Sequence, residues 1–140
     1  MEKSLSSLRI RPLPDDLTRP FWEATRLHKL SIQRCQACGR VNHPPQIVCG
    51  WCSSPDLSFE EVPGTGRLYS YTSAPHRGVA AGATAEYINI VVELDVQEGI
   101  LMVARVPGGV PSWLKIGQPL HVRFETLDDS DVVLPQFDPS

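Results

Sequence analysis

The sequence predicts a mainly β protein: a short N-terminal helix, a metal-stapled ribbon, then a small β-barrel. Three observations carry this. Two Cys-x2-Cys pairs, Cys35/Cys38 and Cys49/Cys52, are separated by ten residues. After them, from Leu57 to Phe137, short runs rich in Val, Ile, Tyr and Phe are punctuated by Gly, Pro and Asp, as successive strands are. Before them, one apolar stripe at helical spacing follows a Pro-containing leader.

The helix is predicted to start near Asp16 to Thr18. Thr18 suits the N-cap, Pro20 suits the first turn, and Phe21, Ala24, Leu27 and Leu30 recur on one face. The other face is basic, with Arg26, His28 and Lys29. Such a helix either packs on its own domain or docks onto a partner subunit. The next part, Ser31 to about Pro55, is too small to be held together by apolar burial and needs a staple. Strands are then predicted over Leu57–Val62, Arg67–Ser73, Tyr87–Val96, Ile100–Val106, Leu120–Leu127 and Val132–Phe137. Pro63-Gly64-Thr65-Gly66, Gln97-Glu98-Gly99 and Gly117-Gln118-Pro119 read as turns between them. Gly78–Ala85 reads as a mobile loop. Five or six short strands with no helix among them suggest an OB-type Greek-key barrel. The expected division is 1–30 leader and helix, 31–56 ribbon, 57–140 barrel.

Cys35, Cys38, Cys49 and Cys52 carry the strongest chemical signal. Two residues between thiolates let each pair form a tight knuckle that presents both sulfurs to one ion, and two knuckles complete a tetrahedron. Gly39 suits the backbone turn after the first knuckle. Four protein ligands leave no open position for water, so the site is expected to be structural. Zinc is the leading ion, with rubredoxin-type iron and a redox-active dithiol as alternatives. His43 is expected to be a surface or packing residue. Trp51, between two ligands, either shields the site or touches a partner.

Composition limits the function classes. With 41% hydrophobic and 21% charged residues the chain fits a soluble globular protein. No apolar run approaches the length of a membrane span, and Met1–Pro20 lacks a signal-peptide apolar core. The expected compartment is the cytoplasm, where close cysteine pairs favour metal over disulfide. From Phe21 to Cys52, Arg26, Lys29, Arg34 and Arg40 face only Glu23, whereas from Ser53 onward five Lys/Arg face twelve Asp/Glu. That acidic second half argues against a long grip on nucleic-acid phosphates. His28, His43, His76 and His121 are scattered, the cysteines are taken by metal, and no phosphate loop or dinucleotide fingerprint is present. No independent active site is visible.

Several segments together carry a resemblance. Phe21-Trp22 opens the helix, RCQACGRVNHPPQIVCGWC spans Arg34–Cys52, and PGTGRLYSYT spans Pro63–Thr72. IGQPLHVRF (Ile116–Phe124) and LPQFDP (Leu134–Pro139) complete the pattern. The chain resembles acyl-CoA-associated OB-fold proteins that carry a rubredoxin-like zinc ribbon. The resemblance implies an accessory subunit working with a thiolase-like larger partner, in a thiolase, acyltransferase, steroid side-chain aldolase or hydratase complex. It implies that the catalytic groups belong to that partner and that zinc sits on Cys35, Cys38, Cys49 and Cys52. No catalytic residue is carried over to this chain.

If a coenzyme A thioester contacts the barrel, its phosphates need cations and its adenine an aromatic or apolar surface. Arg67, Tyr69, Tyr71, His76 and Arg77 fall on one predicted strand and the following loop. Period two puts Arg67, Tyr69 and Tyr71 on one face. The bland alternative is packing for the tyrosines and solvated charge for the arginines. The competing function is a nucleic-acid-binding ribbon and OB module, with a rubredoxin-like electron carrier third and a stand-alone enzyme last.

Overall fold

A computed structural model describes residues 11–77, 84–127 and 130–140, with only the backbone described along 74–77 and 84–87. Among the described residues one helix, α1 (Arg19–Arg26), precedes eight strands. These are β1 (Ser31–Cys35), β2 (Val41–Asn42), β3 (Leu57–Glu61), β4 (Thr65–Arg77), β5 (Thr84–Leu94), β6 (Leu101–Pro107), β7 (Pro119–Thr126) and β8 (Val133–Pro139). They form a three-stranded sheet ordered β2-β1-β3 and a five-stranded antiparallel sheet ordered β6-β5-β4-β7-β8.

Thr18 is the N-cap residue, but its side chain makes no capping bond. Asp15 organises the entry instead: its carboxylate accepts from the Leu17 and Thr18 N–H groups at 3.0 and 2.8 Å. This is an Asx-type turn feeding the helix. The buried residues are Phe21 and Thr25, one turn apart, and the Thr25 hydroxyl donates to Trp22 O. Leu27 was expected on the apolar stripe, yet the helix ends at Arg26 and leaves Leu27 71% exposed. His28 takes φ 57° there and stacks its ring on Phe124 of β7.

Leu57–Glu61, read from sequence as the first barrel strand, pairs with β1 along its whole length and completes the ribbon sheet. The barrel then starts at β4. Thr65 and Gly66, expected in a turn, are the first residues of that strand. Glycine is needed here for close approach: a Cβ on Gly66 would lie 2.5 Å from Glu93 O, and one on Gly64 would collide with the Val122 side chain. Gly99 and Gly117 do occupy left-handed turns, at φ 83° and 86°. The expected loop at Gly78–Ala85 lies largely outside the described residues; Thr84 and Ala85 are already in β5. Strands β6 and β8 end the five-stranded sheet and are linked where the Arg105 N–H donates to Gln136 Oε1 at 3.1 Å. This is the nearly closed OB-type barrel that the strand count predicts.

One apolar core joins all parts. Phe21 and Leu30 near the helix, Ile32 and Val41 of the ribbon, and Leu68, Ile88, Ile90 and Val92 of the barrel belong to the same buried cluster. A second link is polar. The Gln97 side chain, in the β5–β6 loop, accepts from the Val41 N–H at 2.8 Å and donates to Val41 O at 3.1 Å. Gln97 thus pairs with the ribbon backbone as another strand would.

Candidate metal centre and adjoining surfaces

The two knuckles repeat the same backbone pattern fourteen residues apart. Gly39 N donates to Cys35 O and Cys35 N to Arg40 O; Ser53 N donates to Cys49 O and Cys49 N to Ser54 O. The left-handed position of the pattern is Gly39 in the first knuckle (φ 77°) and Ser53 in the second (φ 64°). The first was legible from its glycine, whereas nothing in a serine announces positive φ.

These turns bring the four Sγ atoms within 4.8 Å of one another. Cys35 and Cys52 sulfurs lie 3.6 Å apart, and those of Cys38 and Cys49 lie 3.7 Å apart. A disulfide needs about 2.05 Å, and all four cysteines are free. Sulfurs about 2.3 Å from a tetrahedral zinc ion sit about 3.8 Å from each other, so the donor set fits that ion. Cys35 and Cys49 are buried, while Cys38 and Cys52 face outward. Among the described residues, this is the one cluster of three or more His, Cys, Asp or Glu side chains arranged to hold a metal.

The surrounding groups favour thiolates at two positions. The Cys38 backbone N–H, 3.5 Å from Cys35 Sγ, is the main cause of a lowered Cys35 pKa. Burial works to raise the Cys49 pKa. Against it, the Asn42 amide at 3.5 Å and the backbone N–H groups of Cys52 and Trp51 hold that thiol down at about 6. Cys52 moves the opposite way: Ser54 N–H lowers it, but burial and the three neighbouring sulfurs carry it up to about 11. Four crowded sulfurs do not all ionise by themselves, and a divalent cation held by Cys35, Cys38, Cys49 and Cys52 would supply the missing positive charge.

Trp51 is 56% exposed beside this centre. Its indole N–H points to Val41 O at 3.4 Å, and the Arg40 guanidinium lies 4.4 Å from its ring centroid. His43 is a packing residue as expected: its ring leans on Phe21 with centroids 5.8 Å apart, and burial lowers its pKa. It also borders a cleft of about 590 Å³ that sequence reading missed. Phe21 and Trp22 of α1, His43 to Pro45 of the ribbon, Leu101 to Arg105 of β6 and Leu134 to Gln136 of β8 line it. No local pattern announces such a cleft, because it forms only where helix, ribbon and barrel meet.

The residues proposed for coenzyme A are only partly brought together. Arg67 and Tyr69 are exposed on the outer face of β4, and Arg67 reaches Gly117 O at 3.4 Å. The ladder with β5 then shifts, because Leu68 pairs with Val92 and Ser70 with Val91, leaving Tyr69 as the extra residue. This bulge reverses the alternation. Tyr71 therefore pairs with buried Ile90 and does not share the Arg67–Tyr69 face, contrary to the period-two expectation. The His76 and Arg77 side chains lie outside the described portion. No described helix is long and apolar enough to cross a membrane.

Known proteins share both modules. The model of the rubredoxin-like zinc ribbon domain of ChsH2 matches residues 22–58, and that of the ChsH2 C-terminal OB-fold domain matches residues 59–125. The chain is 34% identical over 139 residues to a probable enoyl-CoA hydratase alpha subunit of Thermomonospora curvata, a match covering 99% of this chain and 42% of that protein. It is 30% identical over 124 residues to the 3-oxo-4,17-pregnadiene-20-carboxyl-CoA hydratase alpha subunit of Mycobacterium tuberculosis, covering 83% of this chain and 39% of that one. It therefore spans about two fifths of the length of these curated relatives. A solved structure of an Ltp2–ChsH2(DUF35) aldolase contains a chain that superposes with a TM-score of 0.77 at 34% identity, covering 92% of this chain and 98% of that one.

Proposed function

Because the chain belongs to the ChsH2 family, with its rubredoxin-like ribbon and OB-fold domain, we propose that it is a zinc-bearing accessory subunit of an acyl-CoA-processing complex. One observation carries the reading: the superposition on a chain of the Ltp2–ChsH2(DUF35) aldolase runs through ribbon and barrel together. The partner in this reading is a larger thiolase-like enzyme that supplies the catalytic groups, in an aldolase, thiolase or acyltransferase complex. Zinc on Cys35, Cys38, Cys49 and Cys52 is a structural crosslink that holds two knuckles and the short β1–β2–β3 sheet in one shape. The reading places the complex in the cytoplasm, where such thiols stay reduced.

The purified Ltp2 component of the similar aldolase is a direct test. Mixed with this chain, it is expected to shift the chain to a heteromeric mass in light scattering. Two species that elute separately at micromolar concentration would contradict the proposal. Within the complex, an acyl-CoA thioester is proposed to contact the outer face of β4 through Arg67 and Tyr69. Arg67→Ala should weaken coenzyme A binding at low salt, since cation–phosphate attraction is lost. An unchanged dissociation constant would remove that assignment while leaving the subunit role intact.

A further inference from the structure

The second zinc knuckle presents an unusual surface for so small a loop. Ile47 is 81% exposed, Val48 45% and Trp51 56%. Yet Trp51 is held in place: its N–H reaches Val41 O, Arg40 covers its ring, and Cys49 and Cys52 anchor the backbone on either side. A large apolar side chain fixed in one orientation loses little freedom on binding, which is the property of an interface anchor.

Charge indicates what lies opposite. The other cations of the helix and ribbon have carboxylates within the chain: Arg26 pairs with Asp131, Lys29 with Glu61 and Arg34 with Glu60. Arg40 has none among the described residues; its side chain is committed only to the Trp51 ring. A guanidinium in that position keeps donors available for a carboxylate supplied from outside.

We propose that Trp51, Ile47 and Val48, with Arg40 at their edge, form a docking surface for a protein partner that offers an apolar pocket rimmed by at least one Asp or Glu. The inference rests on the accessory-subunit reading and names the surface by which that subunit engages its enzyme. It puts the interface on the ribbon, and it gives the zinc a second purpose, which is to hold the anchor rigid.

The test uses the whole zinc-loaded 140-residue chain, with the Ltp2 protein as probe and biolayer interferometry as readout. Trp51→Ala and Arg40→Glu, made separately, are each expected to weaken binding at least about 10-fold, as loss of an interface anchor does. Ile47→Asp, at a position too exposed to affect folding, should do the same. Ile116→Asp, at an exposed apolar site on the barrel side of the chain, should bind as the parent does. Zinc content and thermal midpoint are recorded for each variant, so that lost binding with both retained supports the surface. Parent affinity in all three ribbon variants would overturn the inference and leave the accessory reading standing. Equal weakening by Ile116→Asp would also overturn it. A parent chain that does not bind at all would overturn both.

Discussion

Replacing Gln97 by Leu tests whether the ribbon and barrel are joined as the structure implies. The side chain makes two hydrogen bonds to one residue, at 2.8 Å to Val41 N and 3.1 Å to Val41 O, and Val41 is 1% exposed. Each such bond contributes about 1 kcal/mol net, and a buried backbone group left without a partner costs about 1–3 kcal/mol. Val41 O keeps the Trp51 N–H at 3.4 Å, so the uncompensated group is mainly the Val41 N–H. The loss should be about 2–3 kcal/mol. For a chain of 140 residues, a specific unfolding entropy of about 2.1 cal/mol/K per residue converts this to a fall in Tm of roughly 7–10 °C. Urea denaturation gives the free energy, and hydrogen exchange at the Val41 amide locates it. Gln97→Glu should fall between, because a carboxylate still accepts from Val41 N but no longer donates to Val41 O. A Gln97→Leu loss under about 0.5 kcal/mol, with Val41 still protected, would refute the argument and leave the shared apolar core as the whole connection.

Cys49→Ser should abolish stoichiometric zinc binding by atomic absorption and unprotect the amides of β1 and β2, since a hydroxyl is a poor zinc ligand; one retained zinc per chain would count against the four-sulfur centre. Gly66→Ala should cost about 2–3 kcal/mol in urea unfolding, because its new methyl meets the Glu93 carbonyl and a backbone cannot step aside as a side chain can; a near-neutral result would contradict the close β4–β5 approach. His43 has a pKa lowered by burial from its ordinary 6.5, so the unfolded chain takes up a proton at higher pH than the folded one. Its contribution is complete above the unfolded pKa and is lost as pH falls from about 6.5 toward the folded value. His43→Gln should therefore lessen the drop in Tm between pH 7.5 and 5.5, and parallel profiles for parent and variant would reject that cause.

What could be read from the sequence was whatever is encoded locally. The Cys-x2-Cys spacing identified the centre because ligation geometry is set within each knuckle, and β-branched runs located β5 to β8 because each strand carries its own pattern. Features set by distant partners were not legible. Leu57–Glu61 has the composition of a strand, but only pairing with Ser31–Cys35 assigns it to the ribbon. Tyr69 and Tyr71 look equivalent until the bulge against β5 separates their faces. Gly64 and Gly66 resemble turn residues, whereas their smallness serves a packing contact made with β5 and β7. The Gln97–Val41 link, spanning 56 positions, and the cleft between helix, ribbon and barrel have no local signature at all.

Native mass spectrometry of the tagged chain, isolated gently from its own cells, tests the accessory-subunit account most directly. The predicted result is a heteromeric assembly holding one zinc per copy of this chain and a larger enzyme with a thiolase-type active site. A chain recovered alone, or bound to nucleic acid in place of an enzyme, would contradict the account.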